Sequence, residues 1–137
     1  MATRAEAYVD TSAFIAFLDR SDTHHQAFRR LFSEPPLLLT TTLVVAEGHG
    51  WFLRRYDRVR ALQFLDMIEA MSFLTIATVG SKEQAAAAEV LRRFSDRDLT
   101  VADALGLHLM DAHHIRACWS TDFHLGITGV PLVVNLR

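Results

Sequence analysis

Short apolar runs alternate along this chain with longer stretches of helical periodicity, and that alternation leaves few folds open. Residues 7–9, 37–40, 73–79, 115–120 and 132–135 read as strands. Between them, Thr11 and Ser12 are cap-type residues before a wholly apolar helix over 13–18. Residues 24–33 carry Ala27, Phe28, Leu31 and Phe32 at inward helical spacings, and Pro35-Pro36 stops that helix. Residues 43–56 and 58–72 are amphipathic. Ser81-x-x-Gln84 has the form of a capping box and opens a helix to about Ser95, and Thr100 caps a helix from Val101 to about His114. Strands separated by helices need crossover connections, so the expected class is α/β: a mostly parallel central sheet of four to five strands with helices on both faces, a three-layer sandwich. The length of 137 residues suits one domain spanning 1–137.

Composition closes other routes. Half of the residues are hydrophobic, which excludes intrinsic disorder. No apolar stretch reaches the ~18–20 residues of a membrane helix. The start lacks the apolar region and cleavage site of a signal peptide, so the expected location is cytoplasmic. The single cysteine, Cys118, excludes an intramolecular disulfide framework and a cysteine-based zinc finger, and it reads as a small core residue. A net charge of −2 gives no bulk attraction for polyanions. The basic set is thirteen Arg and one Lys, Lys82. That skew suits bidentate phosphate binding, and a genome composition bias produces it equally well.

Sites of parallel α/β sheets lie at the carboxyl ends of the strands. Asp10 ends the first strand and Asp122 follows the fourth. Glu47 comes early in the helix after the second strand. Asp103 sits in the first turn of a helix of ~21 Å, and the chain returns along a strand of ~20 Å, so Asp103 and Asp122 share an edge. Each acid also has a structural explanation: Asp10 as a helix cap, Asp103 in the cap-box pattern Thr100-x-x-Asp103, Asp122 as a turn residue. Glu47, next to Val44, Val45, Ala46 and Trp51, looks costly to desolvate without a partner. Four carboxylates at one edge repel unless a cation offsets them. Oxygen ligands suit Mg²⁺ or Mn²⁺, which neutralise phosphate oxygens and acidify a bound water. The pairs His24-His25 and His113-His114, and Glu47-x-His49, do not share a face, which disfavours zinc. His124, two residues from Asp122, is the exception.

Val9-Asp10-Thr11-Ser12, Thr41-Thr42-x-x-Val45-Ala46-Glu47, Leu99-Thr100-x-x-Asp103-Ala104 and Ser120-Thr121-Asp122 together resemble a PIN domain of the type found in VapC toxins. The resemblance covers the whole chain, and it rests on the ordered set of acids more than on any single motif. It implies a PIN-like sandwich and a Mg²⁺- or Mn²⁺-dependent endoribonuclease, a homodimer restrained by a small antitoxin protein. Asp10, Glu47, Asp103 and Asp122 match the family's acidic tetrad, with Asp10, Asp103 and Asp122 on the metal and Glu47 on a metal or a bound water. Ser12 and Thr121 match positions whose hydroxyls orient an acid or a metal-bound water. Asp96 and Asp98 read as loop residues. The basic residue that often follows the last acid is replaced by Phe123, so RNA phosphates must be met elsewhere: by His124, or by Arg54, Arg55 and Arg97 in the two basic clusters, which also read as solvated faces. The antitoxin is expected to lay an Arg against the acids and apolar residues around Phe14, Phe17 and Phe28. Two alternatives remain: a catalytically silent PIN-like RNA- or protein-binding module, and a phosphohydrolase using Asp10 as nucleophile, although Ser12 stands where such an enzyme wants its second acid. A receiver-like domain lacks the paired acid and the suitably placed Lys.

Overall fold

The computed structural model describes residues 4–135. Four parallel strands, β1 (Ala7–Val9), β2 (Leu38–Thr41), β3 (Leu74–Ala77) and β4 (Cys118–Trp119), form one sheet in the order β3-β2-β1-β4. Helices α1 (Thr11–Leu18) and α2 (His25–Leu31) join β1 to β2, α3 (Thr42–Arg55) and α4 (Arg58–Ala70) join β2 to β3, and α5 (Ser81–Arg93) and α6 (Val101–Ala112) join β3 to β4. The first two crossovers step in one direction across the sheet and the third steps back. With right-handed connections, α1–α4 therefore cover one face and α5–α6 the other. The packing agrees: α1 meets α2 and α3, α3 meets α4, and α5 meets α6. The reversal of direction falls beside β1, the place where open parallel sheets form their ligand crevices.

The fifth strand expected at 132–135 is reduced to one parallel bridge, Cys118 to Leu132, followed by a 3₁₀ turn over Val133–Asn135. Pro131, which has no N–H to donate, supplies its carbonyl to Cys118 and breaks the ladder there. β4 is also shorter than the run 115–120, because only Cys118 and Trp119 pair with β1. The late helix stops at Ala112. Ile115 N–H donates to Met110 C=O and His114 N–H to Asp111 C=O, a Schellman closure that puts His114 in the left-handed region at φ 54°. α5 begins one residue earlier than its expected box: Glu83, not Gln84, reaches back to the N–H of Gly80 at 3.1 Å, and Gly80 offers no side chain to complete the box.

Tyr8, Phe14, Phe28 and Phe64 are fully buried. Phe14 lies against Phe32 and Phe64, and Phe28 against Phe32 and Trp119. Phe14 and Phe28 therefore belong to the core and cannot form the partner-docking face expected around them; Phe17 is half-buried against Phe32. Cys118 is buried and free, as its apolar surroundings in sequence suggest.

Two helical glycines make this packing possible. A Cβ on Gly48 would overlap the Phe64 ring, and one on Gly106 would sit 2.7 Å from the ring of Tyr8. Gly→Ala inside a helix normally gains up to ~1 kcal/mol. Here the gain is outweighed by overpacking, typically ~1–3 kcal/mol, because both rings are walled in. Gly106→Ala and Gly48→Ala are expected to lower stability in urea denaturation. An increase for either would show that its ring has room to move.

Candidate active site

The carboxyl edge of β1 opens into a cleft of about 240 Å³ whose lining includes Asp10, Glu47, Asp103 and Asp122 with Thr11, Ser12, Thr100, Trp51 and Arg54. Each acid is placed by a local backbone requirement. Asp10 is the N-cap of α1, its side chain accepting from Ser12 N–H at 3.4 Å. Asp103 and Thr100 cap α6 reciprocally: Thr100 N–H donates to Asp103 Oδ2 and Asp103 N–H donates to Thr100 Oγ1, both at 3.1 Å. Asp122 opens the 3₁₀ turn Phe123–Gly126 and accepts from His124 N–H at 3.0 Å. The capping explanations from sequence are thus accurate descriptions, and they coexist with a shared cleft.

Asp10 is the buried centre. Its Oδ2 accepts from Ser12 Oγ at 2.9 Å and from Ser120 Oγ at 3.0 Å. Ser12 Oγ in turn accepts from Thr121 N–H at 2.9 Å, and Ser120 Oγ from Asp122 N–H at 2.9 Å. These two hydroxyls lock the start of α1 to the segment after β4. Ser120, not singled out from sequence, thus shares with Ser12 the orienting of Asp10, and Thr121 contributes its backbone N–H. A second hydroxyl not singled out from sequence, Thr11 Oγ1, donates to Glu47 Oε1 and ties α1 to α3. The available signal was a hydroxyl residue immediately beside an acid.

Glu47 is exposed rather than desolvated. Its apolar sequence neighbours divide around the helix: Val44 turns into the core while Ala46 faces solvent. Arg54, two turns further along α3, reaches the cleft. Arg55 instead lies over the Tyr56 ring at 5.4 Å, and Arg97 is exposed on the loop before α6, outside the cleft lining, as are Asp96 and Asp98.

The residues fit a metal ion in two respects. Asp103, Asp122 and His124 can each bring a ligand atom within 4.8 Å of the others. The hydrogen bonds of Asp10 and Asp103 fall on Oδ2, leaving each Oδ1 without a protein donor among the described residues. His124 Nδ1 lies 3.1 Å from Asp122 Oδ1, so the histidine set apart in the sequence joins the acids.

Residues 7–126 match the sequence profile of the PIN domain. The chain belongs to the PIN domain family. Among solved structures, Mycobacterium tuberculosis VapC20, described as a sarcin–ricin loop cleaving toxin, is similar at TM-score 0.82 and 23% identity over 90% of this chain and 95% of that one. A chain of a toxin–antitoxin complex from Klebsiella pneumoniae matches at TM-score 0.60 and 16% identity over 93% and 95%. PAE2754 from Pyrobaculum aerophilum matches at 0.62 and 20% over 96% and 86%. At these identities the likeness is one of fold. No curated protein matches the sequence.

Burial pushes the Asp10 carboxyl up to about 6, against the pull of the Ser12 and Ser120 donors and with the charge of Asp103 adding to the rise. Unfolded, the same group titrates near ~3.9. Between pH ~4 and ~6 the folded protein keeps a proton the unfolded chain has lost, so this group's contribution falls as pH rises through that window and stays low above it. In metal-free protein Asp10→Asn is therefore expected to raise stability by about 1–3 kcal/mol at pH 7.5, with the gain fading towards pH 4.5. Denaturation in chelator at both pH values checks this; equal stability of parent and variant at pH 7.5 would contradict it.

Proposed function

We propose that this PIN domain is a Mg²⁺- or Mn²⁺-dependent endoribonuclease acting as the toxin of a toxin–antitoxin pair. The observation that carries the reading is the convergence of Asp10, Glu47, Asp103 and Asp122, from four separate segments, on one cleft beside β1. Fold likeness to VapC20 and to the K. pneumoniae complex supports the toxin part and an antitoxin as partner; a cytoplasmic setting belongs to the same proposal. The homodimer implied by the resemblance belongs to the same proposal.

Asp103 and Asp122, with Asp10 beside them and His124 within reach, would hold the ion. A divalent cation there supplies charge neutralisation for phosphate oxygens and a more acidic water. The chain's own work is positional. Ser12 and Ser120 fix the Asp10 carboxylate, and the Thr100 cap fixes Asp103. Thr11 holds Glu47 at the rim, where it orients a water and accepts its proton. Arg54 offsets the negative cleft and meets a substrate phosphate. Ser12, which donates to the Asp10 carboxylate, stands where an aspartyl-phosphate enzyme wants its second acid, which weighs against that route.

Two measurements test the reading. Mg²⁺ or Mn²⁺ is expected to raise the melting temperature, with ~2.7 kcal/mol of stabilisation at a hundred times Kd, and the increment should shrink in Asp103→Asn and Asp122→Asn. RNA cleavage should fall by two or more orders of magnitude in Asp103→Asn and Glu47→Gln, both remaining folded. Cleavage at the parental rate in both variants would assign the activity to a contaminant and remove the mechanism.

A further inference from the structure

Two aromatic side chains stand near the acids with part of their surface open to solvent: Trp51 in the cleft lining and Phe123 outside it, next in sequence to Asp122. Trp51 lines the cleft one turn after Glu47 on α3 and is only half-buried. Its indole is propped edge-on by Phe52, with ring centroids 4.9 Å apart, and by Tyr56 at 6.1 Å, so its plane is held rather than free to rotate. Phe123 immediately follows Asp122 and is 67% exposed, the most exposed of the large hydrophobic side chains among the described residues. Its ring leans on His124 at 4.3 Å. The sheet order fixes their relation. α3 follows β2 and the Phe123 turn follows β4, and these strands flank β1 on opposite sides. Asp10 therefore lies between the two elements that carry Trp51 and Phe123.

A phosphodiester at the acids carries one nucleoside on either side of the phosphorus. Flat, oriented aromatic faces next to a phosphate site suit unpaired nucleobases, whose π-faces stack whatever their sequence. Taking the ribonuclease reading as given, we propose that Trp51 and Phe123 are stacking platforms for the two nucleotides flanking the scissile phosphate. Arg54 serves the Trp51 side. Gly50 lacks a Cβ, and the Arg54 guanidinium folds over the bare backbone there, with Nη1 3.1 Å from where a Cβ would be. A cation thus stands on the same helix face as the indole, suited to the neighbouring phosphate. Duplex RNA keeps its bases stacked inside the helix and has none to offer either ring.

The protein has two tryptophans, and Trp119 is buried, so a ligand-dependent change in indole emission reports Trp51. In a Glu47→Gln background with Mg²⁺, a single-stranded RNA hexamer is expected to quench emission, and a duplex of the same sequence to bind at least tenfold more weakly. Trp51→Phe abolishes the quenching and keeps the affinity within about threefold. In the active protein, Trp51→Leu and Phe123→Leu each raise KM about tenfold on single-stranded RNA, the usual scale of one base–aromatic stack, with kcat little changed; Trp51→Phe and Phe123→Trp restore most of the loss. Absence of quenching, or equal binding of duplex and single strand, overturns the platforms. Cleavage that depends on Asp103 but is indifferent to Trp51→Leu and Phe123→Leu overturns them too and leaves the nuclease reading intact. Absence of any RNA binding or cleavage by the parent overturns both. If Phe123→Leu leaves the RNA parameters unchanged and instead weakens inhibition by a protein partner, the ring belongs to a protein interface and the proposal fails.

Discussion

Placing one carboxylate, Asp10, in the interior at the end of β1 sets the terms for everything around it. A buried carboxylate needs donors, and here they come from Ser12 on its own helix and Ser120 at the far end of the chain. Because each serine hydroxyl also accepts a backbone N–H from the 121–122 segment, satisfying Asp10 simultaneously positions Asp122. Chain entry and chain exit are joined through one polar knot. Removing either hydroxyl would leave Asp10 short of a donor and also leave a backbone N–H unpaired, which is why the pair acts as a unit.

The same edge concentrates negative charge that the fold only partly relieves. Asp103 raises the proton affinity of Asp10, and burial does more. The cost is borne locally while the rest of the molecule is conventional: a parallel sheet, an aromatic core beneath α1–α4, and close approaches at Gly48 and Gly106. Tyr8 extends the strain one layer deeper. Its hydroxyl is buried with no hydrogen-bond partner among the described residues, and burial, with the charge of Asp10, pushes its proton affinity upward. A cation at the cleft would offset the Asp103 charge that Asp10 feels.

Much of this was legible in the residues. Alternating apolar runs and helical periodicities gave the element order, and the acids at strand ends and helix starts gave the cleft, because both depend on local spacing along the chain. The failures share a cause. Apolar sequence neighbours suggest that Glu47 is costly to desolvate, but a helix distributes neighbours around its circumference, and only some of them face the core. Phe14 and Phe28 read equally well as core or as a docking face, because hydrophobicity alone does not distinguish a core residue from an interface residue.

The sequence by itself determined the α/β class, the parallel sheet and the identity of the acids: periodicity, caps and breakers act over a few residues, and crossover handedness is general. Only the tertiary structure decided which serines hold Asp10, that Thr11 reaches Glu47, that His124 joins Asp103 and Asp122, and that Trp51 lines the acidic cleft. Those relations depend on strand order and on side-chain direction across segments up to 110 residues apart, as between Asp10 and Ser120, and no local pattern encodes such pairings.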